Sequence, residues 1–113
     1  MQLEIEGSPR VLFELFEAKE VSTGMVRDVP GGATIRYLPG SHIEKRSLGS
    51  IGPIFEFVIN AAGNIANNLL SAWLYDKLKK SNVRTIRINR RIVELTPDGI
   101  QRAIEESIVV TEE

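Results

Sequence analysis

The chain has 113 residues, a formal net charge of -1 and 42% apolar residues, enough for one domain with its own core and too apolar for wholesale disorder. It has no cysteine, which excludes disulfides, thiolate nucleophiles and cysteine-bound zinc and fits a reducing cytoplasm. The opening Met1-Gln2-Leu3-Glu4-Ile5-Glu6 has no basic segment followed by an apolar one, so no leader pattern is visible.

Gln2 to Glu6 alternates, with Leu3 and Ile5 on one side, and predicts a strand over 2–6. Ser8-Pro9 then offers a cap and a first-turn proline. Val11, Leu12, Leu15 and Phe16 follow at helical spacing, which predicts a helix over 9–19. Met25, Val26 and Val29 suit a strand over 25–29. Pro30-Gly31-Gly32 breaks it, and Ala33 to Leu38 alternates again, so a hairpin with a strand over 33–38 is expected. Residues 39–52 read as a glycine- and serine-rich loop.

Pro53 to Lys80 has no interior proline, and its apolar residues cover most of a helical circumference. It predicts one long central helix, roughly 42 Å at ~1.5 Å per residue, with Gly63 as the point of kinking or close approach. Asn60, Asn64, Asn67, Ser71 and Tyr75 fall at spacings of three and four and form a polar stripe. That stripe is either solvated or an interface, because buried asparagines can fix the register of helical self-association. Phe57 to Tyr75 carries no charge, yet four asparagines in its middle argue against a membrane span.

Val83 to Asn89 and Arg91 to Leu95 both alternate, which predicts strands over 83–89 and 91–95 joined by a short turn at Asn89-Arg90. In the second strand Ile92 lies opposite Val93 and Leu95. Thr96-Pro97-Asp98 then marks the start of a helix over 97–107. The fold expected is α+β: a small, mostly antiparallel sheet packed on one long central helix, with two shorter helices, in a single domain.

No constellation for catalysis stands out. His42 is the only histidine, and its one neighbour of interest is Glu44. The Ser47-to-Gly52 run lacks the lysine and Ser/Thr of a P-loop. Lys77, Lys79, Lys80, Arg84, Arg87, Arg90 and Arg91 supply half of the 14 basic residues with no acid among them. Lysines at a helix C-terminus are favoured by the dipole alone. Nucleic-acid binding would call for aromatics among the arginines, and none lies between Asn82 and Leu95.

The leading expectation is a non-catalytic interaction or accessory domain without cofactor or metal. It would self-associate through the central helix, by Asn60, Gly63, Asn64, Asn67, Ser71 and Tyr75. One alternative is an anion or nucleic-acid binding module using Lys45, Arg46, Arg84, Arg87, Arg90 and Arg91. Another is a small ligand-binding protein or enzyme using the 39–52 loop.

Overall fold

A computed structural model describes residues 1–38, 53–61 and 66–111. It is α+β: one six-stranded sheet, antiparallel at every pairing, with three helices. The elements in chain order are β1 (Gln2–Gly7), α1 (Arg10–Phe16), β2 (Val26–Val29), β3 (Ala33–Tyr37), β4 (Ile54–Ala61), α2 (Asn67–Lys79), β5 (Val83–Ile88), β6 (Arg91–Val93) and α3 (Pro97–Thr111). The strands lie in the order β2-β3-β4-β1-β5-β6.

The register sorts the side chains by face. Leu3 and Ile5 of β1 stand opposite Phe57 and Phe55 of β4, and opposite Ile88 and Ile86 of β5. Ile35 and Tyr37 of β3 continue the row beside Ile59 and Phe57. All of these are buried. The helices cover this face. Val11, Leu12, Leu15 and Phe16 of α1 join the same core as Leu70, Leu74 and Leu78 of α2 and Ile100 and Ile104 of α3. Phe16 meets Phe57 at 6.2 Å between ring centroids, and Tyr37 meets Phe57 at 5.5 Å. Residues of opposite parity, among them Gln2, Glu4, Glu56, Val58, Asn60, Thr85 and Arg87, form the other face.

Local chemistry explains the helix ends. α1 starts at Arg10 with Pro9 as its N-cap, one residue later than expected, and the Ser8 hydroxyl accepts from the Arg10 N–H at 3.2 Å. Glu17 closes α1 in the left-handed region at φ 48. Its carboxylate meets Lys77 at 3.1 Å and Arg27 at 3.4 Å. The hydrogen bond from Lys77, then the charge of Arg27, hold that carboxyl below its ordinary value. Thr96 Oγ1 accepts the Gly99 N–H at 2.9 Å and Pro97 opens α3, as the sequence leads one to expect.

The expected helix over 53–80 is not there. Its first part is strand β4 and its last part is helix α2. A straight helix of roughly 42 Å would also have outrun the longest dimension of the molecule, 36 Å. In β4 the residues Phe55, Phe57 and Ile59 alternate inward, and five of its eight residues are β-branched or aromatic, which suits a strand. Ile54 is also buried although it has the opposite parity, which blurs the alternation.

The phase of α2 differs as well. A helix phased from residue 54 turns Leu69 and Ala72 toward the core and Ser71 outward. In α2 the reverse holds: Leu69 is 54% exposed, Ala72 is exposed and Ser71 is 4% exposed.

Candidate interaction surface

Of the residues expected to form a helical interface, the described ones are split between β4 and α2. Asn60 lies on β4, exposed, on the face away from the helices. Asn67 opens α2 and is half-buried. Ser71 is buried, and its hydroxyl donates to the Asn68 carbonyl at 3.2 Å. Tyr75 is half-buried with Lys79 Nζ 5.4 Å from its ring centroid. Gly63, Asn64, Lys45, Arg46 and the 39–52 loop with His42 and Glu44 lie outside the described residues.

The basic block is likewise divided. Lys77 is tied to Glu17, and Lys79 and Lys80 reach Asp76. Arg87 lies between Glu4 of β1 and Ile92 of β6 on the face without helices. Arg84 has the other parity and is exposed. Arg91 meets Glu106 of α3 at 3.4 Å. Arg90 sits in the turn. These four arginines are therefore divided between the two faces of the sheet and the turn.

What the hairpin does build is an open sheet edge. Asn89 and Arg90 both have positive φ, 50 and 69, which makes the β5–β6 connection a type I′ turn closing on Ile88 and Arg91. The Asn89 side chain fixes it. Its Oδ1 accepts the Gln2 N–H at 2.9 Å, and its Nδ2 donates to Ser107 Oγ at 2.7 Å. One residue thus joins β1, the hairpin and α3. Asn89→Ala is expected to cost about 3 kcal/mol in urea unfolding, from two lost hydrogen bonds and a left-handed backbone without asparagine. Asn89→Gly should recover about 1 kcal/mol of that, because the turn geometry is then free of strain.

The turn also sets the direction of the backbone groups. In a two-residue hairpin Ile88 and Arg91 exchange both backbone bonds, and alternation makes Ile86 and Val93 the next such pair. The Asn89 N–H donates to the Gln2 carbonyl at 2.9 Å, so Ile88, one residue earlier, turns its groups toward β6. The N–H and C=O of Ile92 then face away from β5, along the free edge. Its side chain is 73% exposed. Arg90 and Glu94 flank it; both are exposed, and neither forms an ion pair among the described residues. Behind the edge a cleft of about 400 Å³ runs between β6 and α3, lined in part by Arg91, Val93, Arg102 and Glu106.

The opposite edge is blunted. On β2 the Tyr37 N–H donates to the Met25 carbonyl at 3.0 Å, so by alternation Val26 and Asp28 turn their backbone groups outward. The Asp28 carbonyl is already taken by the Arg27 Nε at 3.1 Å. Asp28 itself puts an exposed charge on that edge, a common guard against strand addition. The sequence sets Ile92 opposite Val93 and Leu95 without marking it as a site. It did not show which edge of the sheet would be left open, because strand order is set by tertiary pairing.

Among the described residues, no group of three or more acidic or histidine side chains is placed to hold a metal, and no helix is long and apolar enough to cross a membrane. Compared with protein-family models, curated proteins and solved structures, the chain has no match.

Proposed function

We propose that this chain is a non-catalytic interaction domain that self-associates, and that its working surface is the β6 edge of the sheet. The supporting observation is the contrast between the two edges. On β2 the charged Asp28 has its outward carbonyl occupied and the apolar Val26 is 47% exposed, whereas β6 presents Ile92 at 73% exposure with its backbone groups outward. An edge left in that state is a template for another strand. A three-residue strand buries little area, so the association is reversible and weak.

Sedimentation equilibrium from about 10 μM to about 1 mM tests this reading. The mean mass is expected to climb from 12.6 kDa toward twice that value, and amide exchange at Ile92 to slow as concentration rises. A mass that stays at the monomer value across the range refutes it. The arginine reading gains no comparable support, because Arg84, Arg87, Arg90 and Arg91 do not converge.

A further inference from the structure

Resting on the self-association reading, the geometry points to one arrangement: two copies pair β6 with β6, antiparallel, about a two-fold axis through Ile92 and perpendicular to the sheet. Only a perpendicular axis lets the same edge of two identical copies meet with strands antiparallel. It also keeps both helical layers on one side. Such an axis sets a residue opposite its own copy, and the outward groups of Ile92 fit that position. The two Ile92 residues then exchange a pair of backbone bonds, N–H to C=O in each direction.

The side chains agree with this register. Counting outward from the axis, position 90 of one copy stands beside position 94 of the other. Arg90, in the turn, then stands beside Glu94, the residue after β6, once at each end of the contact. Opposite charges across paired strands favour a register, and like charges disfavour it. Moving the axis by one residue places it on Val93, whose groups are already bonded to Ile86, and sets Ile92 against a glutamate. β2 has no equivalent solution. An axis on Asp28 opposes two carboxylates, and an axis on Val26 sets Asp28 against Gly24. The structure therefore favours a closed dimer with a continuous sheet over a polymer built edge to opposite edge. The cleft between β6 and α3 lies along this contact, so its outer side is covered by the second copy.

The test is a charge swap read by sedimentation velocity, with circular dichroism confirming that each variant keeps its fold. Arg90→Glu and Glu94→Arg each replace two attractive contacts with two repulsive ones, and each should raise the dimer dissociation constant about tenfold or more. The double variant R90E/E94R restores both contacts in reverse and should return to within about threefold of the parent. If the parent dimerises but the double variant binds no better than the singles, the register is wrong while self-association stands. If the parent is monomeric throughout, both readings fall. Species heavier than a dimer that grow with concentration would overturn the two-fold arrangement in favour of an open chain of copies.

Discussion

Phe57→Ala is expected to cost about 3–5 kcal/mol, enough to consume much of the stability of a domain this size. Phe57 is fully buried at the middle of β4, opposite Leu3 of β1 and Tyr37 of β3, with the Phe16 ring against it. Truncating it opens a cavity where two strands and a helix meet. Urea unfolding should show a lower midpoint with little change in slope. Its neighbours sharpen the experiment. Val58 is half-buried on the other face, and Val58→Ala should cost less than about 1.5 kcal/mol. An alanine scan from Phe55 to Asn60 should thus alternate large and small effects with a period of two. A period near 3.6 would mean that this stretch is helical after all.

Gly31→Ala is the second large effect, at about 3 kcal/mol. Gly31 has φ 97, which an alanine adopts only with strain. A Cβ there would also stand 2.9 Å from the Ala66 carbonyl oxygen, 3.1 Å from Leu70 Cβ and 3.2 Å from the Leu70 nitrogen. Two of those three atoms are backbone, so relief requires α2 to move; overpacking of this kind typically adds ~1–3 kcal/mol. The Gly31 carbonyl accepts the Ala66 N–H at 3.0 Å, which makes the β2–β3 turn the seat of the α2 N-terminus. Gly24 supplies the control. Its φ is 88 and nothing lies within 4 Å of its added Cβ, so Gly24→Ala should cost only the strain, about 1–2 kcal/mol. Thermal melts of the two variants separate close approach from backbone strain. Equal losses would show that α2 is not seated on the turn.

Most elements were legible because their signals are local. The cap at Thr96, the break at Pro30-Gly31-Gly32 and the turn at Asn89-Arg90 all act over a few residues, and each lies where the sequence places it. The stretch from Ile54 to Ala61 failed for a physical reason. Ile54 and Val58 put apolar side chains on the face opposite Phe55, Phe57 and Ile59, and a strand with apolar residues on both faces imitates a helix that is apolar all round. A helical phase carried on from that stretch exchanges the sides of Ser71 and Leu69 in α2. The candidate surface was legible only in part. The parity of Ile92 is a property of its own strand. The openness of its edge depends on β1 taking the centre of the sheet, between partners that lie far along the chain.

The place of β1 has a consequence for how the protein is made. Its hydrogen-bonding edges belong to β4 and to β5, and the second of these is not complete until Ile88. At ~5–20 residues per second, the ribosome needs about 4–15 s to travel from the end of β1 to the start of β5. For that interval Leu3 and Ile5 have no finished sheet to enter. The first strand synthesised waits longest for its second neighbour, so the nascent chain carries an unsatisfied centre until most of it has emerged. A rearranged gene that begins at β4 would bring β1 in after both of its partners and so remove that wait, while keeping every strand pairing of the finished sheet.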